Sequence, residues 1–366
     1  MREINYRYDD IRSIELEISS LCNAACPQCP RNVWGGRTVD DLPQLVWDLP
    51  QLQAALPESF VQQLDQIYFC GTYGDPMTNR NLVAMVSWLR HTNSRLRLGL
   101  HTNGGVGTAE TYGRLAKLVD FVAFGIDGLS DTNHLYRRNV VWDRLIKNVT
   151  AYTSNGGYAI WDFIVFRHNQ HQVDSARDLS KQLGFREFNV KKTGRFFNKS
   201  HQMVDHVPVF DVDGNQEYIL EPPSDPFING AYQIIRRMDL DQYMRDTKIS
   251  CYWRKNHMLY IGADGFVFPC GFLHDRMYGI EAQQTPDYAK IRAMMQKSGG
   301  SHLANVFKTK LRDIVDGAWF TCIQESWTGD RLERCAIMCG DGVNLLADQN
   351  STIRYKNDLT DKVTPC

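Results

Sequence analysis

The sequence predicts an α/β fold, in which a parallel-sheet domain is followed by a smaller cysteine-rich region. Two observations carry that prediction. From residue 12 to about 195, short apolar runs alternate with helix-like stretches, the signature of a parallel α/β domain. Beyond residue 250 the chain shows a β-hairpin pattern accompanied by six of its ten cysteines. At 366 residues, 43% hydrophobic and 23% charged, it can bury one large core and one smaller one.

The strand candidates are 13–19, 66–70, 96–101, 121–126, 159–166 and 187–191, each an apolar or alternating run next to turn formers. Residues 32–58 carry irregular extra material, including Trp34, Gly35 and Gly36, which either covers the mouth of a site or is a passive surface insertion. Residues 196–247 are polar, contain Pro222, Pro223 and Pro226 and show no clear period, which reads as a linker or a substrate wall. Residues 258–269 read as a hairpin turning at Ala263-Asp264-Gly265. These readings divide the chain into 1–195, 196–247, 248–345 and a tail at 346–366. Cys70, inside an apolar strand, reads as a small core residue. Trp253, Trp319 and Trp327 read as packing, and His168 and His171 as surface or hydrogen-bonding histidines.

The formal net charge of -1 gives no drive toward nucleic acid or an anionic membrane, neither of which is expected as a partner. No run of about 18 apolar residues is present and the first residues lack the apolar core of a secretion signal, so a cytoplasmic protein is expected. There, clustered cysteines point to metal or redox chemistry rather than disulfides.

Cys22, Cys26 and Cys29, spaced C-x3-C-x2-C, follow the alternating strand residues Ile14-Glu15-Leu16-Glu17-Ile18. A [4Fe-4S] cube normally takes four thiolates, so three from one loop leave one iron open to a small molecule. A zinc site would want a fourth ligand close by, and the next histidine is His91. At these residues the chain resembles the radical S-adenosylmethionine (SAM) enzymes. The resemblance implies that the amino and carboxylate groups of SAM chelate the open iron. It implies further that an electron passed into the sulfonium releases a 5′-deoxyadenosyl radical, which takes a hydrogen atom from an unactivated carbon. It also makes the six strands a partial (β/α)6 barrel with its chemistry at their C-terminal ends.

The loops after the strands extend the resemblance. Gly74-Asp75-Pro76 is similar to the family's Gly-Gly-Glu-Pro loop, which binds the SAM ammonium, with Asp in place of Glu. Thr102-Asn103-Gly104 resembles the run after the third strand and offers polar contacts to SAM, although Asn-Gly is also a generic turn former. After the fourth strand, Gly125 stands where relatives often have serine, which moves the expected ribose contact to Asp127, with a helix cap as that residue's alternative role. Gln28 stands where an aromatic residue commonly packs by the adenine.

Cys251 and Cys270 flank the hairpin and Cys335 and Cys339 follow it, an arrangement that looks like the auxiliary-cluster domains called SPASM and twitch. A full SPASM domain has seven cysteines, whereas six follow residue 250 here. The resemblance therefore implies a twitch-like domain with one auxiliary [4Fe-4S] cluster on Cys251, Cys270, Cys335 and Cys339. Cys322 is either a substitute ligand or free, and a four-cysteine zinc site is the alternative.

The expected activity is radical SAM modification of a peptide or protein by crosslinking, oxidation or epimerisation, the last with Cys322 as hydrogen donor. The alternative is a twitch-type dehydrogenase of a sugar or other small polyol. Outside enzymes, the rival is an iron-sulfur electron carrier or redox-responsive binding protein, which would have no need of an open-iron triad beside Gly74-Asp75-Pro76. A peptide or small molecule is the expected substrate, and flavodoxin or ferredoxin the expected electron donor.

Overall fold

The computed structural model describes residues 6–196, 204–342 and 352–357. Six strands run parallel in sequence order: β1 (Ser13–Leu16), β2 (Gln66–Phe69), β3 (Arg97–Thr102), β4 (Phe121–Gly125), β5 (Ala159–Val165) and β6 (Glu187–Lys192). They are the strands expected from the sequence and form the partial (β/α)6 barrel. Amphipathic helices cover their outer face. Helix Leu82–Thr92 buries Leu82, Met85, Val86 and Leu89, spaced three and four apart, and helix Trp142–Ser154 buries Leu145, Val149 and Tyr152.

The inner face stays partly open. In β1 and β2, Ile14, Leu16, Ile67 and Phe69 are buried under the helices, while Ser13, Glu15, Gln66 and Tyr68 keep some exposure. This reverses the pattern of a barrel whose interior is filled by branched side chains, and it marks a lumen. Its floor is aromatic: Phe121 stacks on Tyr68 at 5.7 Å, with the Arg97 guanidinium 4.8 Å from the Phe121 ring centre. Gly99 lacks the Cβ that would collide with that ring.

Further strands extend this frame. β7 (Val207–Phe210) and β8 (Gln216–Leu220) form a separate antiparallel hairpin in the region where the sequence showed no period. β9 (Met258–Ile261) and β10 (Val267–Phe268) make the expected hairpin, and β9 also pairs parallel with β1. Leu259 lies opposite Ile14 and Ile261 opposite Leu16, all fully buried, and this shared apolar face joins the hairpin to the barrel. At the other edge β11 (Thr352–Lys356) pairs antiparallel with β6, so that among the described residues the sheet has nine strands in the order β10-β9-β1-β2-β3-β4-β5-β6-β11. The sequence reading assigned no strand to the tail, because no residue of β11 is buried and no alternation signals it.

Residues 32–58 fold back on the barrel. Asn32 bridges Thr38, Val46 bridges Ser19, and Trp47 Nε1 donates to the Ala263 carbonyl at 2.8 Å. Among the described residues, no helix is long and apolar enough to cross a membrane.

Candidate functional site

Past β1 the chain turns into the loop bearing Cys22, Cys26 and Cys29, at the C-terminal end of the barrel. Cys26 is buried and the other two partly so. The Cys29 amide donates to the Cys26 carbonyl at 3.1 Å, and the Ala24 amide points to Cys22 Sγ at 3.4 Å. Burial raises the pKa of all three thiols, that of Cys26 to about 11, and Asp75, Cys26 and Cys29 raise Cys22 further. Guanidiniums oppose the rise: Arg137 Nη1 lies 3.8 Å from Cys26 Sγ, and Arg31 and Arg195 act on Cys29. Such a thiol set fits ligands that ionise when a cationic group binds.

The loop after β2 is pinned beside this one. Glu17, buried just past β1, accepts the Tyr73 and Gly74 amides on Oε1 at 2.8 and 2.7 Å and the Tyr260 hydroxyl on Oε2 at 2.7 Å. Gly74 packs so tightly on the Ser19 carbonyl that a Cβ would collide with backbone. The Asp75 carboxylate takes the Met77 amide, the Asn103 amide and the Thr102 hydroxyl, each at 2.9 Å. Asp75 and Thr102, both expected to touch SAM, are thus bonded to each other. Asn103 reaches the cysteines, with Nδ2 3.6 Å from Cys22 Sγ and 2.9 Å from Asn23 Oδ1.

Asp127, the expected ribose contact, is fully buried and accepts Arg137 Nε and the Ile164 amide, both at 2.6 Å. A side chain at position 125 would collide with the Arg137 guanidinium. Gly125, in place of the usual serine, therefore makes room for an arginine beside Cys26. Arg137→Leu would leave Asp127 buried without its cation, and the expected cost is about 3–5 kcal/mol of unfolding free energy in chemical denaturation.

Two polar walls face each other below the cysteine loop. On the β3, β5 and β6 side, Asp162 accepts Asn189 Nδ2 at 2.9 Å, contacts Lys191 Nζ and lies 3.9 Å from His101 Nε2. Burial pulls the His101 pKa down to about 4 and so keeps the ring neutral. On the β1 side, burial raises the Glu15 pKa from 4.5 to about 7, against the lowering effect of the Trp253 indole. A raised folded-state pKa means that the folded protein holds this proton between pH 4.5 and about 7, so stability falls as pH rises through that window. Glu15→Gln is accordingly expected to exceed wild type by about 3 kcal/mol above pH 7 and to match it below about pH 4, as read by denaturation at both pH values. Cys70 also faces this lumen, near Glu15 and Tyr260, rather than the core expected for it, because alternation groups it with Gln66 and Tyr68.

The cysteines beyond the barrel meet around a small pocket lined by Cys251, Cys270, Cys335 and Cys339 together with Trp253, Trp327 and Arg334. An Ile249–Gly340 bridge and a 2.8 Å hydrogen bond from the Ser250 amide to the Cys339 carbonyl draw the two cysteine segments together. Cys322 does not line the pocket; it sits on helix Ala318–Glu325 near Lys297 and Glu325. Cys366 lies outside the described residues.

Trp253 and Trp327, read from sequence as packing, thus belong to this pocket. The Trp253 indole faces Glu15 and the Trp327 indole faces Cys335, while Arg334 Nε is a buried donor with no acceptor among the described residues. Four thiols beside the Trp327 indole and the Arg334 guanidinium fit an anionic group such as a thiolate-bound iron-sulfur cluster. Among the described residues no three His, Cys, Asp or Glu side chains converge tightly enough to hold a single metal ion.

Sequence reasoning missed Glu17, Arg137 and the pocket tryptophans. Glu15 and Glu17 did carry a signal, two acids on a strand of a parallel sheet, where both faces are normally apolar. Arg137 carried none.

Residues 16–177 match the Radical SAM superfamily. The chain is 26% identical over 277 residues, 72% of either chain, to the tungsten-containing aldehyde ferredoxin oxidoreductase cofactor-modifying protein of Pyrococcus furiosus. Among solved structures it resembles BtrN in complex with AdoMet and 2-DOIA, at 13% identity and a TM-score of 0.46, over 92% of this chain and 93% of that one. It also resembles SuiB of Streptococcus suis bound to S-adenosylmethionine, at 13% identity and a TM-score of 0.48, over 81% of this chain and 71% of that one. The matched domain defines the class, an enzyme of radical SAM type. Residues 16–177 thus carry a radical SAM domain, and the cofactors of that superfamily are a [4Fe-4S] cluster and SAM.

Proposed function

We propose that this enzyme holds its SAM-binding cluster on Cys22, Cys26 and Cys29 and an auxiliary [4Fe-4S] cluster on Cys251, Cys270, Cys335 and Cys339, and that it oxidises a peptide or protein substrate. The observation that carries the reading is the meeting of four thiols from separate segments of the chain around one pocket. When bound, the cofactors supply a 5′-deoxyadenosyl radical for hydrogen abstraction and an acceptor for the electron left on the substrate.

The chain's own residues position these parts. Glu17 and Gly74 set the loop that meets the SAM ammonium, while Asp75 and Thr102 brace it against β3. Arg137 places a positive charge beside Cys26, where it would attract the carboxylate of SAM, and Asp127 acts through Arg137 rather than on the ribose. The lumen receives the substrate, and the Phe121–Tyr68 floor shields it from water at the far end. Cys322 lies on an outer helix and receives no hydrogen-donor role.

A role in maturing another protein draws on the similarity to a relative named for modifying an oxidoreductase's cofactor. A second reading, dehydrogenation of a polyol, draws on the wall of His101, Asp162, Asn189 and Lys191, whose donors and acceptors suit hydroxyl groups. Flavodoxin or ferredoxin is the proposed electron source. The test is anaerobic reconstitution with SAM and a reductant: about eight irons per chain and 5′-deoxyadenosine are expected. Absence of 5′-deoxyadenosine across peptide and polyol substrates would overturn the proposal.

A further inference from the structure

We infer that His274, in the C-terminal region, is a positioning residue for SAM: it braces Tyr260, and through Tyr260 and Glu17 it aims a backbone carbonyl of the loop after β2 at the SAM ammonium. The inference rests on the reading above that SAM docks between the cysteine triad and that loop.

The chain of bonds starts at the loop. Glu17 Oε1 accepts the Tyr73 amide at 2.8 Å and the Gly74 amide at 2.7 Å. In a trans peptide the N–H and the C=O point opposite ways, so turning the Tyr73 amide to Glu17 sends the Thr72 carbonyl to the other side. That carbonyl oxygen lies 3.9 Å from Cys29 Sγ and receives no amide among the described residues. An open carbonyl beside the cysteine triad is an acceptor for an ammonium group.

The far end lies beyond the barrel. Tyr260 donates to Glu17 Oε2 at 2.7 Å, and its oxygen lies 3.1 Å from His274 Nδ1. A hydroxyl has one proton; with that proton on Glu17, His274 Nδ1 donates to Tyr260. Across the ring, Nε2 donates to Asp264 Oδ2 at 2.8 Å. Both nitrogens donate, so the imidazole is a cation between two carboxylates. Burial works against that charge, and Asp264, Glu17 and Asp275 outweigh it, leaving the His274 pKa raised.

The surroundings are built for this ring. At Gly262 a Cβ would come within 2.6 Å of both His274 and Asp264, and only glycine leaves the space. Tyr278 donates to Asp264 at 2.7 Å, and the Tyr73 hydroxyl donates to the His274 carbonyl at 2.9 Å. Tyr73 is therefore tied to Glu17 by its amide and to His274 by its hydroxyl, which closes the circuit on the loop. Glu17, Tyr260 and His274 are each 1% exposed, so water cannot replace a bond lost among them.

The reconstituted full chain is titrated calorimetrically with SAM and with the SAM analogue that lacks the α-amino group. Iron content and circular dichroism check each variant. Tyr260→Phe keeps the ring and breaks the chain of bonds; it is expected to weaken SAM by about tenfold and to leave the analogue's affinity unchanged, since only the ammonium meets the aimed carbonyl. His274→Gln cannot serve Tyr260 and Asp264 together and is expected to weaken SAM in the same selective way. The double variant is expected to lose no more than Tyr260→Phe alone, because the two residues act in series. Should His274→Gln not hold its iron, Asp264→Asn replaces it, as it loosens the same ring. Unchanged SAM affinity in Tyr260→Phe, an equal loss for both ligands, or additive losses in the double variant overturns the inference and leaves the SAM site standing. A wild type that binds no SAM overturns the site and the inference together.

Discussion

A Cys26→Ala variant is expected to hold about four irons per chain where wild type holds about eight, and to make no 5′-deoxyadenosine above background. Cys335→Ala is expected to lose the other four and still cleave SAM. The asymmetry follows from placement. Cys26 is buried beneath Arg137 in the loop that Asn103 and the Asp75 loop enclose, whereas Cys335 belongs to the pocket beyond the hairpin. Iron and sulfide analysis with product quantification by mass spectrometry reads both effects. SAM cleavage by Cys26→Ala, or its loss in a Cys335→Ala protein that retains four irons, would sink the assignment of the two groups.

Gly74→Ala is expected to weaken SAM binding by roughly 100-fold. The added Cβ would run into the Ser19 carbonyl, which is backbone and cannot swing aside. The loop would have to lift, losing the Gly74 amide bond to Glu17 at 2.7 Å and the Asp75 amide bond to the Leu21 carbonyl at 2.8 Å. Overpacking of this kind costs about 3 kcal/mol, or about two decades in affinity. Gly329→Ala is the control, since a Cβ there meets its nearest atom at 3.4 Å. Calorimetric titration of the reconstituted proteins with SAM separates the two, and unchanged affinity in Gly74→Ala would remove this loop from the SAM site.

The parallel strands were legible because a strand that buries one face under amphipathic helices must carry apolar residues at every second position, as Ile14, Leu16, Ile67 and Phe69 do. The two cysteine groups were legible because ligand spacing is itself chemistry. What sequence could not convey was partnership. Asp75, Thr102 and Asp127 lie at or past the ends of β2, β3 and β4, but nothing local tells that the first two bond each other and the third holds Arg137. The exchange of serine for Gly125 looked like a lost contact and is room made for a guanidinium. Cys70 looked like core because its neighbours are apolar, and only closure of the sheet around a lumen shows which way it faces. The pairing of β9 with β1 joins residues too far apart in sequence for any short-range pattern.

That pairing bears on how such enzymes can diversify. A strand entering from the C-terminal region sits directly on the first strand of the barrel, and Glu17 grips both the loop after β2 and Tyr260 of the newcomer. A barrel cut away at residue 247 would bare the ladder edge of β1, a template for any passing chain, and leave Glu17 buried with one partner gone. Exchange of C-terminal regions between relatives must then carry position 17 along with the strand it holds. The border drawn along the chain is not a seam in space.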